Sequence, residues 1–464
     1  MSSGLGNFFA EPFIVQGELM SSRISISDKF TFGRLIRFAL PSIVMVIFTS
    51  LYGIVDGVFV SNFAGDDAFT AVNLFLPIFY IVGSLGMLLG SGGCAFVAKL
   101  FGEKQDDEAR KVFTGLVIVA AAIAIIITLS TVWFIPQISA MLGAKDKVLD
   151  DCTLYGTIMM CGLLPFCMQN FFQYWFAVAD RPKLGLWITV AAGVTNALGD
   201  FIFMYAFKMG VSGAAIATII GECVGGIVPL IWFLSKKGKN LYIVNPALKP
   251  RELGKVCLNG SSEFLSSVSV SAVSILYNFQ LLKYFGNAGV VAYGVIMYVS
   301  FIFTGCYLGF SVGTAPIVGY NYGAQNTDEL KSVFKKSLLF YCIAAVTMTA
   351  LAEALASPLA MIFVSYDAEL LALSVKAVRI FSFSFLVNGF GIYASAFFTA
   401  LNNGIISAVI STARTLVFQT VAVFVMPLIF GTDGIWGATV AAEILSLLLA
   451  TVFILTKRKK YGYM

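Results

Sequence analysis

The sequence predicts an all-α integral membrane protein with twelve transmembrane helices arranged in two six-helix lobes. Three observations lead to this prediction: a strongly apolar composition, apolar segments of membrane-spanning length, and an internal duplication. Of the 464 residues, 59% are hydrophobic and only 12% are charged, with a mean hydropathy of +0.89. A water-soluble surface needs more charged residues than this composition supplies, so the chain belongs in a lipid bilayer.

The apolar segments alternate with short polar loops, and each is long enough to cross the hydrocarbon core as a helix of about 20 residues. Backbone groups in lipid have to hydrogen-bond within their own segment, so segments of this length are predicted to be helices rather than barrel strands. The predicted helices α1 to α12 span, in order, residues 38–62, 68–98, 110–135, 152–178, 184–207, 211–234, 256–284, 289–319, 332–356, 371–400, 405–430 and 434–456.

Lysine and arginine are distributed unevenly between the two sides of these helices. One side, which holds both termini and the loops after α2, α4, α6 and α8, carries 23 of the 30 basic residues, and the other side carries six. Such an excess marks the cytoplasmic side, so the protein is predicted to lie in the cell (inner) membrane with both termini cytoplasmic. This topology explains the net charge of +5, which therefore gives no support to a nucleic-acid partner.

The two halves of the chain are copies of one another. A shift of 221 positions superposes residues 32–113 on 253–334 without a gap, and Phe101-Gly102 falls on Tyr322-Gly323. Six helices is an even number, so both copies enter the membrane in the same direction and are related by a pseudo-twofold axis along the membrane normal. This is the geometry of a two-lobed transporter with a central cavity.

The duplication divides the chain into five parts. No removable signal peptide is predicted, because the first thirty residues lack a basic start followed by an apolar core and a cleavage site. Met20 is an alternative start. The parts are a cytoplasmic N-terminal tail (1–30), an N-lobe (31–235), a cytoplasmic inter-lobe loop (236–255), a C-lobe (256–456) and a cytoplasmic C-terminal tail (457–464).

Four polar residues lie at similar depth within the apolar helices of the N-lobe: Asp56, Asn196, Asp200 and Thr218. An ionised Asp at the centre of a membrane helix costs about 2.5 to 3.5 kcal/mol, so two of them need a reason. Their oxygen atoms suit a proton or a hard cation such as sodium. A static polar network between helices is the alternative.

The second copy serves as an internal control for this site. Tyr277 occupies the position of Asp56, and Phe418 and Ala422 occupy those of Asn196 and Asp200. The fold therefore does not require polar groups at these positions.

The sequence resembles the multidrug and toxic compound extrusion (MATE) transporters, in their DinF-like bacterial and archaeal branch. The resemblance rests on Pro41 fifteen residues before Asp56, the Asn-x-x-x-Asp of α5, the Thr of α6 and the doubled six-helix plan. It implies that the four polar residues bind the coupling proton or sodium ion, and that Pro41 permits α1 to bend. Proline removes a backbone hydrogen bond and clashes with the preceding turn, so a bend is physically reasonable.

Other charges inside the predicted helices need separate reasons. Glu263 in α7 resembles a glutamate that other branches of the family use for coupling, and is predicted as a secondary acid. A second acid in α10 is missing, because residues 380–400 contain none, which argues against a C-lobe ion site. Glu222, Glu353, Glu443 and Arg414 are each costly enough to need a partner or an aqueous cavity. Arg414 and Glu443 are a candidate pair.

Aromatic residues make up 14% of the chain and can hold flat organic cations by apolar contact and cation–π attraction. The predicted substrate cavity is lined by Phe172, Tyr174, Tyr277, Met297 and Arg414.

Enzymatic functions are not expected. The chain has no histidine, which removes histidine-based nucleophile pairs and metal sites, and it has no Walker A pattern for ATP. The prediction is a secondary antiporter that exports drugs or toxic organic compounds and needs no cofactor. It is expected to be a monomer surrounded by membrane lipid. The proton is the favoured coupling ion and sodium the alternative. A flippase of a lipid-linked or amphipathic substrate is the alternative function.

Overall fold

A computed structural model describes residues 24–236, 239–365 and 367–464. Met20 and most of the N-terminal tail, together with Lys237 of the inter-lobe loop, lie outside this range. The described residues form helices and connecting turns, with no β-strand among them. Ten helices are long and apolar enough to cross a membrane, and two bent helix pairs raise the number to twelve. The predicted all-α membrane fold is confirmed.

The helices follow the predicted order and extend beyond most predicted ends. Short 3-10 and π segments interrupt α3, α4, α5, α10 and α11. The observed helices are α1 Phe32–Phe63, α2 Asp66–Gly102, α3 Asp106–Thr131 with Val132–Phe134 and Ile135–Met141, α4 Asp146–Cys161 with Leu163–Phe172 and Trp175–Val178, α5 Pro182–Asp200 with Phe201–Ala206, α6 Val211–Leu234, α7 Pro250–Phe285, α8 Asn287–Gly323, α9 Thr327–Val364, α10 Ala368–Ser382 with Phe383–Leu386 and Asn388–Ala400, α11 Gly404–Thr412 with Ala413–Phe418 and Gln419–Phe430, and α12 Asp433–Tyr461.

Two predicted loop segments are helical instead. The last six residues of the predicted inter-lobe loop belong to α7, which begins at Pro250. Proline fits the first turn of a helix, and Glu252 closes this turn by accepting from the Lys249 backbone N–H at 2.9 Å. Likewise α12 continues through the basic residues of the predicted C-terminal tail to Tyr461. Hydropathy misses such polar helix ends because they lie beyond the apolar segment.

The two copies share unusual local features as well as helix order. The fourth helix of each copy is bent, α4 by 54° and α10 by 41°. The fifth helix of each copy contains a π-helical segment, Phe201–Ala206 in α5 and Ala413–Phe418 in α11. By contrast, α1 is one continuous helix in which Pro41 is buried. Pro41 therefore does not interrupt the helix.

The lobes pack closely at the end of the molecule that holds the termini. Here the lobes approach through glycines: a Cβ on Gly92 of α2 would lie 2.2 Å from the Val256 carbonyl oxygen, and one on Gly260 of α7 would lie 1.8 Å from that of Leu88. Similarly, a Cβ on Gly309 of α8 would lie 2.4 Å from Ile43 Cα. Because each position lacks a side chain, the helix backbones of the two lobes come into direct contact.

At the opposite end, open space lies beside parts of α1 and α8. A Cβ added at Gly53, Gly57 or Gly294 would meet no neighbouring atom within 4 Å among the described residues. Large apolar side chains of α1 in this half, including Val55 and Val58, are exposed. The glycine contacts between the lobes therefore lie at the terminal end, which is closed.

The described part of the N-terminal tail links the lobes at the closed end. The Ile26 backbone N–H donates to Asp180 Oδ1 at 2.9 Å, in the turn between α4 and α5. The Phe30 backbone N–H donates to Glu329 Oε1 at 2.8 Å, at the start of α9. Ile26 and Phe30 are both buried, so this segment packs as part of the folded body.

Candidate functional site

Three of the four predicted N-lobe residues form one hydrogen-bonded chain. Asn196 Nδ2 lies 3.4 Å from Thr218 Oγ1, and Thr218 Oγ1 lies 3.4 Å from Asp56 Oδ1. The Thr218 hydroxyl also donates to the Ala214 carbonyl at 3.0 Å. A hydroxyl has only one proton, so while it donates to Ala214, a hydrogen bond with Asp56 requires a proton on the carboxyl group. The hydrogen bonds among these three side chains therefore depend on whether Asp56 is protonated.

Asp200 lies beside this chain without a hydrogen bond of its own. Its side chain is fully buried at 0% exposure, and neither carboxylate oxygen has a partner within the described residues. It interacts electrostatically with Asp56, and Asn196 four residues earlier lies on the same face of α5. Buried polar atoms are nearly always hydrogen-bonded, so these two oxygens are able to take up a proton or a cation.

The backbone changes form at this residue. Asp200 is the last residue of the α-helical part of α5, and the π-helical segment Phe201–Ala206 follows directly. Single π-helical turns of this kind are rare and are found frequently at functional sites. The sequence does not reveal this feature, because a π-helical turn has no distinct pattern of apolar residues.

Glu222 is a third carboxylate near Asp56. It was not predicted from the sequence to belong to this site. It is 6% exposed, its Oε2 atom has no hydrogen-bond partner, and it interacts electrostatically with Asp56. A signal was present: Thr218 and Glu222 are four residues apart in α6, the same spacing as Asn196 and Asp200 in α5. Tyr52, which is hydrogen-bonded to Gln169 at 3.2 Å, also interacts with Glu222.

The side chains of the site provide mainly oxygen atoms, which can accept a proton or bind a cation. Among the described residues, no three His, Cys, Asp or Glu side chains lie close enough to hold a metal ion between them. Two carboxylates, an amide and a hydroxyl instead suit a small cation that enters and leaves.

The C-lobe contains a separate group of charges. Arg414 Nη1 donates to Glu443 Oε1 at 3.1 Å, so the expected pair is confirmed. Arg414 also interacts electrostatically with Glu263, which in turn interacts with Tyr174 of the N-lobe. Glu263 therefore belongs to a group of charged side chains that includes the basic residue Arg414, unlike the N-lobe acids.

The C-lobe counterparts of the N-lobe site are neutral. Tyr277, at the position of Asp56, forms a 2.8 Å hydrogen bond with Thr439 and stacks on Tyr293 with ring centroids 5.0 Å apart. Phe418, at the position of Asn196, packs against the C-lobe core. In the second copy, apolar packing and neutral hydrogen bonds therefore replace the polar residues of the N-lobe site.

The predicted cavity residues fall into two groups. Phe172 is 1% exposed and stacks on Phe233 inside the N-lobe, and Tyr277 is buried inside the C-lobe, so neither lines an open cavity in this conformation. Rings this large fill lobe interiors, which the aromatic content alone did not distinguish from cavity walls. Tyr174, Met297 and Arg414 are partly exposed.

The duplicated lobes, the paired bends and the buried acids together define a multi-pass membrane transport protein. The sequence model of the MatE family matches the chain twice, at residues 41–202 and 264–425. The chain belongs to the MatE family, which comprises multidrug efflux transporters and is not an enzyme family. The two matches also confirm the internal duplication.

Characterised relatives match along almost the whole chain. The multidrug export protein MepA of Staphylococcus aureus strain COL is 25% identical over 433 residues, covering 92% of this chain and 94% of MepA. MepA of Staphylococcus saprophyticus is 25% identical over 434 residues with the same coverage.

Solved structures share the fold. An outward-facing multidrug resistance MATE transporter of the MOP superfamily has a TM-score of 0.88 at 22% identity, covering 94% of this chain and 98% of that chain. A MATE transporter in complex with MaL6 has a TM-score of 0.87 at 21% identity, with coverage of 94% and 97%. A MOP superfamily transporter from Pyrococcus furiosus has a TM-score of 0.85 at 22% identity, with coverage of 94% and 97%.

Proposed function

We propose that this chain is a secondary antiporter that exports toxic organic compounds, often cations, in exchange for protons entering the cell. The observation that carries the proposal is the N-lobe site, where the buried carboxylates have no basic partner in the part of the chain that the structure describes. An unpaired buried carboxylate is costly in lipid, so the site favours binding a mobile cation. The family and the MepA relatives supply the class of exported compound.

The packing of the lobes supports alternating access. Glycine contacts close the lobes at the terminal end, which the distribution of basic residues assigns to the cytoplasm, and open space lies beside Gly53 and Gly57 of α1 towards the other end. A cation that enters from outside reaches the N-lobe acids first in this state. Its binding favours one arrangement of the lobes over the other only through a difference in affinity between them. Each charge that crosses a membrane potential of 100 mV contributes about 2.3 kcal/mol, which is enough to maintain a more than tenfold concentration gradient of substrate.

The proton is the coupling ion that the site supports best. A proton needs only the carboxylates, and Asp200 offers two oxygens without partners. Sodium, a hard cation, prefers several oxygen ligands at once. Asn196 and Thr218 supply neutral oxygens for it, so a sodium site at Asp56, Asn196, Asp200 and Thr218 remains the alternative. In either case no cofactor is needed.

The flippase alternative has less support. An anionic lipid headgroup needs free basic side chains in the cavity, and Arg414, the deep basic residue of the C-lobe, is already paired with Glu443. The two lobes of a single chain also enclose the opening between them, which supports a monomer surrounded by membrane lipid as the working unit.

Uptake into liposomes tests the proposal. Purified protein is reconstituted, and accumulation of a fluorescent organic cation is followed under an imposed pH gradient or an imposed sodium gradient. Accumulation under the pH gradient alone supports proton coupling, and accumulation under the sodium gradient alone supports sodium coupling. Protein-free liposomes serve as the control. If neither gradient drives accumulation, the proposed function is wrong.

A further inference from the structure

One carboxylate of the N-lobe interacts with two others. Asp56 interacts electrostatically with both Asp200 and Glu222. Glu222 lies one helical turn beyond Thr218 on the same face of α6, towards the terminal end of the molecule. It therefore lies between the Asp56–Asp200 pair and the end at which the lobes are closed.

Among the described residues, none with a positive charge interacts with Glu222. The titratable groups that interact with it are Asp56 and Tyr52 from α1, Tyr80 from α2, Tyr155 and Cys167 from α4, and Cys223 of its own helix. All of these groups are acidic or neutral. The remaining polar neighbour in this region, Gln169, donates to Tyr52.

Two other carboxylates within the helices have basic partners. Glu443 accepts from Arg414 at 3.1 Å. Glu353 lies 4.0 Å from Arg379 and accepts from the Ser382 hydroxyl at 2.5 Å. Glu222 differs from both in having no basic partner among the described residues; like Glu443 Oε2, its Oε2 atom is buried with no hydrogen-bond partner there, and the whole residue is only 6% exposed. A buried carboxylate without a partner strongly favours the neutral, protonated form or a bound cation.

One mobile cation is too few for three such carboxylates. Two carboxylates that interact closely titrate as a pair, so one proton on Asp56 or Asp200 removes the repulsion between them. The charge that remains on this pair is accommodated by the hydrogen bonds of Thr218 and Asn196. Glu222 lies a helical turn away from those donors and has to be neutralised separately.

We infer that Glu222 is a second ion-coupling residue, so that the loaded N-lobe carries two exchangeable cations, one on the Asp56–Asp200 pair and a proton on Glu222. This inference rests on the proposed antiport. Both protons arrive from water on the outer side and leave as hydrated protons on the cytoplasmic side, each by breaking one carboxyl O–H bond. Two ions then enter for each substrate molecule that leaves.

The ion-to-substrate ratio tests the inference. In proteoliposomes with the membrane potential clamped at zero, the final substrate gradient equals the ion gradient raised to the power of this ratio. With a tenfold proton gradient in sodium-free medium, we expect a substrate gradient of about 100-fold for the wild type and about tenfold for Glu222→Gln. A wild-type ratio of one, or a Glu222→Gln ratio of two, overturns the inference.

Matched variants separate charge from shape. Glu222→Asp keeps a carboxylate and should keep the ratio of two. Glu353→Gln, which removes a carboxylate that has partners, should also keep it. A ratio of one in Glu353→Gln would contradict the assignment to Glu222. Failure of the proposed antiport itself has a different result, because the wild type would then accumulate no substrate under either gradient.

A measurement on the wild type alone covers the case in which Glu222→Gln does not fold. Binding of an organic cation to purified protein in weakly buffered, sodium-free detergent solution should release two protons per protein, measured with a pH-sensitive dye. Release of one proton overturns the inference.

Discussion

At the scale of single residues, Thr218 connects the helices of the N-lobe site. Its hydroxyl group lies 3.0 Å from the Ala214 carbonyl oxygen and 3.4 Å from Asp56 Oδ1, and its one proton is donated to one of these acceptors at a time. Asn196 donates to the same hydroxyl. The side chains from α1, α5 and α6 are thus joined through one atom, and a proton on Asp56 changes the hydrogen bonds between three helices.

The C-lobe counterparts should be dispensable for coupling. Tyr277→Phe removes a hydrogen bond to Thr439, and Phe418→Leu exchanges one apolar side chain for another. We expect ion-driven uptake of a fluorescent cation within about threefold of wild type, since a neutral hydrogen bond contributes about 0.5 to 1.5 kcal/mol to stability and neither residue exchanges a proton. Complete loss of coupling in folded protein would mean that both copies share the ion-coupling function.

Lys239, in the loop after α6, should make stability depend on pH. It donates to the Trp232 carbonyl and its Nζ lies 3.8 Å from the centroid of the Trp232 ring. Burial, and then the charge of Arg181, lower the pKa of Lys239 to about 8. The unfolded chain, with an ordinary lysine pKa near 10.5, binds more protons between about pH 8 and 10.5, so the free energy of unfolding rises with pH in this window.

The comparison with Lys239→Gln isolates this contribution. The melting temperature of the wild type in detergent should rise relative to that of Lys239→Gln between about pH 8 and 10, and the difference should be constant below pH 7. Lys111→Gln, which removes an exposed positive charge, is the control. Parallel pH profiles for wild type and Lys239→Gln would contradict the assignment.

At the scale of helices, the closed end depends on glycine contacts. A Cβ at Gly260 would lie 1.8 Å from the Leu88 carbonyl oxygen, whereas one at Gly254 of the same helix would meet nothing within 4 Å. Gly260→Ala should therefore force α2 and α7 apart, at a cost of about 1 to 3 kcal/mol to the closed arrangement. Gly254→Ala is the matched control.

A buried reporter at the lobe contact measures this effect. Ala95 is 1% exposed and its carbonyl accepts from Asn402 Nδ2 of the C-lobe at 3.1 Å. In a cysteine-free background, Ala95→Cys should react with a small thiol reagent about tenfold faster for each 1.4 kcal/mol lost. We expect faster labelling with Gly260→Ala and no change with Gly254→Ala. Equal rates in both variants would show that the glycine contact does not hold the lobes together.

The sequence predicted the helices well and their interruptions poorly. The predicted and observed bounds of α6 coincide at 211–234, because its apolar segment ends at polar loops on both sides. The start of α7 was missed by six residues, since Pro250 and Glu252 begin a polar helical turn outside the apolar segment. The π-helical turns and the bends in α4 and α10 depend on packing between helices, which one sequence does not encode locally.

Contacts between helices that are distant in sequence also limited the prediction of the site. The spacing of Asn196 and Asp200 placed them on one helix face, and the structure brings Asp56 and Thr218 to that face. Glu222 was recognised as a costly charge but was not joined to the site, because its neighbours on α1, α2 and α4 are distant in sequence. The internal repeat could only show which positions the fold leaves free to vary.

For the whole molecule, the distribution of charge predicts an orientation that labelling can test. Single cysteines at Asp67, Lys145 and Asp433 in a cysteine-free background should react with an impermeant thiol reagent added to intact cells. The matched set on the opposite face is Lys104, Lys239 and Lys335. These positions should react only after the cells are permeabilised. Labelling of the second set in intact cells would reverse the orientation.

The central claim is that the buried N-lobe acids couple ion entry to export. Asp200→Asn tests it most directly, because it preserves the shape of a fully buried side chain and removes its exchangeable charge. In liposomes under an imposed pH gradient or an imposed sodium gradient, wild type should concentrate a fluorescent organic cation and Asp200→Asn should not, although the variant should still bind the compound in detergent. If folded Asp200→Asn protein concentrates the compound as wild type does, the N-lobe acids are not the coupling site.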